Sequence, residues 1–158
     1  SLNSRTIPTA IGFAIESKFT EPYSGKHKPL RDAYLNEESL WIKLPNLYEL
    51  AKNLSLHKEK FCHLDVAQLI KHILGLNANY PQKKNKLITK YKLLYLWYDV
   101  PGSEGVKHRA EIERFAAIAK SDGVMFRHTT YQEVIIRLFV EYREGNEEYI
   151  DYLIERYL

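Results

Sequence analysis

The stretch Leu93-Leu94-Tyr95-Leu96-Trp97-Tyr98-Asp99-Val100 decides how the fold of this 158-residue chain is interpreted. It is apolar on both alternating faces except for Asp99 near its end, which is typical of a central strand buried in an α/β sheet. The composition, 45% hydrophobic and 27% charged residues, excludes a disordered chain, and the length suits one domain with a core of its own. We therefore expect a single α/β domain over residues 1–158.

Helices are predicted on both sides of this strand along the chain. Apolar spacing predicts helices from about Pro45 to Leu56 and from Leu64 to Leu74, with Gly75 as the stop signal of the second. The later elements are a turn over 102–105, a helix around Phe115, a strand from Val124 to His128, a helix that opens with the capping box Thr130-x-x-Glu133, and a final helix from about Glu147. Asp32 to Trp41 is ambiguous. The alternation of strands and helices predicts a mixed or largely parallel sheet covered by helices.

A second strand is predicted from Ile11 to Phe19, where apolar residues alternate with small or charged ones. Glu16 and Lys18 share one face of this strand, and the preceding residues of that face are the small Gly12 and Ala14. Small neighbours leave room for a phosphate. A carboxylate can hold a divalent ion, and an ammonium two residues away can orient a water or neutralise charge on phosphorus. Taken alone, Glu-x-Lys is a common tripeptide, and a surface charge pair on an edge strand is then the better interpretation.

Three segments in order along the chain favour a catalytic role for Glu16 and Lys18. They are Ile15-Glu16-Ser17-Lys18-Phe19-Thr20-Glu21-Pro22-Tyr23, His63-Leu64-Asp65-Val66-Ala67-Gln68-Leu69-Ile70-Lys71-His72 and Leu94-Tyr95-Leu96-Trp97-Tyr98. Together they resemble the PD-(D/E)xK nuclease superfamily, and more narrowly a bacterial family of restriction-endonuclease-like proteins, over most of residues 11–140. The resemblance implies an α/β fold with a restriction-endonuclease-like mixed sheet flanked by helices.

The resemblance also implies an activity and a site. It implies a nuclease that hydrolyses phosphodiester bonds of DNA with Mg²⁺, or with Mn²⁺ in its place. Glu16 would be a metal ligand, the backbone carbonyl of Ser17 a further one, and Lys18 the catalytic lysine. Gln68 would approach from the following helix and position Lys18, the phosphate or the water. His72 stands where the pattern has a tyrosine.

One acidic residue of the superfamily pattern is missing. Members place an aspartate before the Glu-x-Lys strand, but residues 1–15 contain no carboxylate. Three explanations are open: the aspartate lies on a segment before Ser1, Glu21 or Asp65 has taken its role, or the domain is inactive. Because the chain starts without a methionine, we favour the first explanation, and this chain would then be inactive as it stands.

Contacts with nucleic acid are predicted from charge. Residues 1–92 hold 15 Lys and Arg against 8 Asp and Glu, whereas residues 93–158 hold 8 against 12. Such asymmetry gives one surface an attraction for polyanions. Lys83, Lys84 and Lys86 could follow a DNA backbone, and Tyr23 could contact substrate beyond the Glu-x-Lys strand, although a solvated loop explains the lysines equally well. The alternative function is a non-catalytic nuclease-fold module that binds nucleic acid or a protein partner.

Other classes of protein are disfavoured by what the sequence lacks. No apolar run approaches the roughly 20 residues of a membrane span, and no glycine-rich phosphate loop of an NTPase or nicotinamide enzyme is present. The single cysteine, Cys62, permits no internal disulfide, which fits the cytoplasm. The tyrosine-rich C-terminal helix is a candidate surface for a homodimer.

Overall fold

A computed structural model describes residues 12–23, 27–79 and 91–158 of the chain. The strands are β1 (Gly12–Lys18), β2 (Tyr91–Trp97) and β3 (Phe126–Thr130). The helices are α1 (Asp32–Leu35), α2 (Pro45–Ser55), α3 (Val66–Asn79), α4 (Ser103–Ser121), α5 (Tyr131–Tyr142) and α6 (Glu147–Tyr157), and short 3₁₀ turns cover Glu21–Tyr23 and Glu38–Trp41. The ambiguous stretch from Asp32 to Trp41 thus contains α1 and one of the 3₁₀ turns.

The sheet within these ranges has three strands in the order β1-β2-β3, and both pairs are parallel. Parallel neighbours need a crossover connection, which α1 to α3 supply between β1 and β2 and α4 supplies between β2 and β3. The predicted α/β class is therefore confirmed, and within the described ranges the strand predicted to be central, β2, lies between the other two.

The core lies on one side of β2. Tyr91, Leu93, Tyr95 and Trp97 are 0–2% exposed, whereas the alternate residues of this strand are half-buried. The prediction of a strand buried on both faces was therefore wrong for the second face. The helices that cover the buried face contribute, among others, Leu47, Leu50, Ile70, Ile73, Ile112 and Phe115.

The alternation in β1 is present, but its small and charged side faces the core. Phe13 and Ile15 are 63% and 60% exposed, while Glu16 is buried. The reason is the register, which pairs Glu16 with Tyr95 and Ala14 with Leu93, and so aligns this side of β1 with the buried side of β2. The face predicted to leave room for a phosphate is therefore the face that α3 approaches.

Gly75 does not end α3, contrary to the prediction. The helix continues to Asn79, whose side-chain amide donates to the carbonyl oxygen of Gly75 at 2.9 Å. A glycine inside a helix costs only about 1 kcal/mol, which the buried apolar stripe of α3 outweighs.

The predicted turn over 102–105 is shorter in the structure. Gly102, with φ of 92°, makes the turn, and α4 begins at Ser103. Gly105 is needed for packing instead, because a Cβ there would overlap the carbonyl oxygen of Val100. The two glycines therefore bring α4 close to the end of β2.

The C-terminal helices follow β3 directly. Thr130 caps α5 through the predicted capping box, since its hydroxyl accepts from the Glu133 amide and the Glu133 carboxylate accepts from the Thr130 amide. On α6, Tyr149 and Tyr152 are 63% and 50% exposed. The homodimer expected at this surface stays a prediction.

Candidate functional site

Three residues from the sequence-predicted site meet between β1 and α3. The Nζ atom of Lys18 lies 3.2 Å from Oε1 of Glu16 and donates a hydrogen bond of 3.0 Å to Oε1 of Gln68. Glu16 is only 8% exposed, so its charge needs polar partners close by. The strand supplies the carboxylate and the ammonium, and the helix supplies the amide that holds the ammonium.

His72 belongs to the same cluster. Its Nε2 atom lies 2.9 Å from Oε2 of Glu16, so both oxygens of this carboxylate are engaged. Gln68 and His72 are four residues apart, which places them on one face of α3. The sequence left the role of His72 open, and this four-residue spacing was the signal that pointed to its position beside Glu16.

The side chain of Ser17 points to the opposite side of β1. Its hydroxyl is hydrogen-bonded to the hydroxyl of Tyr131 at the start of α5. The predicted metal ligand is the backbone carbonyl of Ser17, and that assignment stays a prediction.

Asp65 is a capping residue at the start of α3. Its Oδ1 accepts the amide of Gln68 at 2.9 Å, and its Oδ2 lies 3.6 Å from Nδ1 of His27. Burial alone would raise the pKa of Asp65, but the hydrogen bonds from His27 and the Gln68 amide hold it below its usual value. The hydrogen bond to Asp65 in turn raises the pKa of His27. Asp65 therefore fixes the helix turn that carries Gln68.

Glu21 contributes to the turn that follows β1. Its Oε2 accepts the amide of Phe19 at 2.8 Å. Hydrogen bonds from its own amide and from that of Phe19 lower the pKa of Glu21, so the carboxylate stays ionised at neutral pH. These contacts support a local structural role.

Tyr23 is half-buried, and its hydroxyl points into the protein. It donates to the carbonyl oxygen of Tyr98 at 2.9 Å and lies 2.9 Å from Nδ1 of His108, whose Nε2 is 3.1 Å from the Tyr95 hydroxyl. Burial raises the pKa of Tyr23 to about 12 and lowers that of His108 to about 3. This chain of hydrogen bonds joins the turn after β1 to α4 and β2, and the contact of Tyr23 with DNA stays a prediction.

The residues at this site do not complete a magnesium site. Every Asp, Glu, His and Cys of the sequence falls within residues 12–23, 27–79 and 91–158, and in those ranges no group of three or more such side chains could hold a metal ion. Mg²⁺ is usually held by one or two carboxylates together with water and substrate oxygens. Glu16 fits one such ligand, but its two oxygens already contact Lys18 and His72. The described residues therefore offer one carboxylate at this position, and a metal ion would have to displace Lys18 or His72 from it.

The lysines predicted to follow DNA, Lys83, Lys84 and Lys86, lie outside the described residues. Over the ranges that the structure describes, no helix is long and apolar enough to cross a membrane.

No protein-family model, curated protein or solved structure matches this chain.

Proposed function

We propose that this α/β domain is the DNA-cleaving part of a restriction-endonuclease-like, Mg²⁺-dependent nuclease. The observation that carries the proposal is the position of Lys18, whose ammonium lies between the buried Glu16 carboxylate and the Gln68 amide. The order of elements along the chain, a Glu-x-Lys strand, a helix with Gln68 and then a central strand, supports it further.

Lys18 has the chemistry that phosphodiester hydrolysis needs. Its side chain is 18% exposed, so the ammonium is held by protein contacts and still borders solvent. A fixed cation at such a position stabilises the negative charge that develops on the phosphate oxygens. Gln68 and Glu16 orient the lysine before the substrate arrives, so little reorganisation is needed during the reaction.

The proposed activity requires a second acidic side chain beside Glu16. The resemblance implies this group, and the described residues place no second carboxylate in contact with the cluster. Without that group we expect this chain to bind DNA and to cleave it weakly or not at all.

A second candidate is a nuclease-fold module that binds nucleic acid or a protein partner without cleaving. It is favoured by the same carboxylate, because both oxygens of Glu16 are occupied by protein groups. In this alternative the Glu16, Lys18 and His72 cluster serves to hold α3 against β1.

The two candidates differ in metal-dependent turnover. Supercoiled plasmid and linear DNA would be incubated with Mg²⁺, Mn²⁺ or EDTA, using this chain and a form extended at its N-terminus. Cleavage by the extended form that EDTA abolishes would support the nuclease. DNA binding by both forms without cleavage under either metal would reject the nuclease and favour the binding module.

A further inference from the structure

A cavity of about 450 Å³ lies near the start of α3. Glu16 and Lys18 do not line it. The end of α2, residues 57–62 and the first turn of α3 border it. We call it the α2/α3 cavity. Its floor is apolar and includes Phe61, Leu64, Val66 and Ala67, which are 0–8% exposed as residues. Such a floor can accept a flat, apolar ring.

The rim of the α2/α3 cavity is basic. Lys28, His57 and Lys60 line it, and no carboxylate within residues 12–23, 27–79 and 91–158 forms an ion pair with any of the three. The acidic residue of the rim, Glu59, is instead paired with Arg114. The cavity therefore offers positive charge at its edge with little compensation from the protein, which suits an anionic group.

The backbone at His57 forms the end of α2. His57 has φ of 55° just after α2, in the left-handed region where glycine is the usual residue. It is the one residue other than glycine with a positive φ among the described residues. The His57 amide donates to the Leu54 carbonyl and the Lys58 amide to the Asn53 carbonyl, so this conformation closes the end of α2 and brings His57 to the rim of the cavity.

We propose that the α2/α3 cavity binds a nucleotide, with the base against the apolar floor and the phosphate between Lys28, His57 and Lys60. A nucleotide matches both halves of the cavity, because its base is flat and its phosphate is anionic. Val66 and Ala67 of the floor directly precede Gln68, the residue that holds Lys18. The inference rests on the proposed function in one respect: the nucleotide would be a unit of the DNA strand being cleaved.

Binding of small probes to the full chain tests the cavity without any need for cleavage. The four deoxynucleoside 5′-monophosphates would be titrated in EDTA, with thymidine and deoxyribose 5-phosphate as probes that lack the phosphate or the base. We expect micromolar to low-millimolar Kd values for the nucleotides and at least about tenfold weaker binding of each truncated probe. No binding of any nucleotide, or equal binding of deoxyribose 5-phosphate, would overturn the proposal.

Charge variants locate the binding. The double variant Lys28→Ala/Lys60→Ala should weaken nucleotide binding about tenfold or more, since it removes two charge-assisted contacts. Lys58→Ala is the matched control, because Lys58 is an exposed lysine of the same loop that does not line the cavity. We expect its effect to be less than about twofold. Equal effects of the two variants would reject the cavity as the site.

A glycine variant separates stability from binding. His57→Gly should raise Tm by a few degrees, because glycine adopts a positive φ without strain, and should weaken nucleotide binding about threefold. Unchanged nucleotide binding in a folded His57→Gly protein would remove this residue from the site and contradict the assignment.

A single-stranded DNA octamer links the cavity to DNA. If the octamer binds at least as tightly as the nucleotides and the Lys28→Ala/Lys60→Ala variant weakens it, the occupant is a unit of DNA. If the mononucleotides alone bind, that link is rejected. Failure of the nuclease assay leaves these results unchanged, since none of them depends on turnover.

Discussion

The Nζ atom of Lys18 on β1 and the Oε1 atom of Gln68 on α3 lie 3.0 Å apart, although the two residues are 50 positions apart in sequence. The contact joins β1 to α3. It also holds the Lys18 ammonium in place beside the Glu16 carboxylate. The position of Lys18 therefore depends on a residue from another element.

Gln68→Leu should lower the DNA cleavage rate of the N-terminally extended form about 10- to 100-fold, because Lys18 loses the amide that orients it. We expect DNA affinity to change little. Single-turnover cleavage and fluorescence anisotropy would measure the two effects. Lys71→Ala, an exposed position on the same helix, is the control and should leave both values near wild type. A wild-type rate in Gln68→Leu would show that Lys18 needs no support from α3.

Glu111 on α4 holds the loop before α3. Its carboxylate accepts the amides of Cys62, His63 and Leu64 at 2.6, 2.9 and 2.9 Å. Glu111→Ala should lower the free energy of unfolding by about 3 kcal/mol, since three amides lose a charged acceptor. Urea unfolding measures this. Glu113→Ala, which removes an exposed carboxylate paired with His128, should cost about 0.5 kcal/mol or less. Similar losses in both variants would contradict the role of Glu111.

His108 should remain neutral in the folded protein well into the acidic range. Burial lowers its pKa to about 3, against 6.5 in an unfolded chain. The unfolded state therefore binds the extra proton first, and stability from this group is present above pH 6.5 and falls as the pH drops toward 3. In NMR titrations the ring signals of His108 should stay constant from pH 8 to about 4.5. A His108 transition near the ordinary histidine value would show that the group is hydrated.

The ion pair of His27 with Asp65 should stabilise the fold most in mildly acidic solution. Since the pKa of His27 is raised, its contribution is complete below the unfolded value of 6.5 and is lost as the pH rises through the folded value. The free-energy difference between wild type and His27→Gln should thus be larger at pH 5.5 than at pH 8.5, by about 1 kcal/mol or less.

Asp65→Asn provides the matched variant for this effect. Asparagine caps helices as well as aspartate does, so α3 keeps its cap while His27 loses the charge. The pH dependence assigned to His27 should then disappear. If Asp65→Asn retains it, another group is responsible.

The elements could be predicted where the pattern was local. Periodicity and the capping box gave α2, α5 and the strands to within a few residues. Two failures arose from the packing of one element against another. The core-facing side of β1 is set by the pairing of Glu16 with Tyr95, and Gly105 is fixed by its approach to Val100. Neither relationship can be derived from the spacing of apolar residues.

The candidate site could also be predicted only in part. Glu16 and Lys18 were named from the alternation along β1 and Gln68 from the resemblance, and the structure places the three side chains together. The contact of His72 with Glu16 follows from its spacing to Gln68 once β1 and α3 are known to pack. The α2/α3 cavity could not be foreseen, because Lys28, the loop after α2 and the first turn of α3 line it together although they are far apart in sequence.

The most direct test of the nuclease proposal is the single-turnover rate of plasmid cleavage with Mg²⁺ by the N-terminally extended form and by its Lys18→Ala variant. Lys120→Ala, an exposed lysine in the last turn of α4, is the control for the loss of one positive charge. We predict a rate at least about 100-fold lower for Lys18→Ala and a wild-type rate for the control. Equal cleavage by Lys18→Ala and the wild type would contradict the assignment of Lys18 and, with it, the proposed active site.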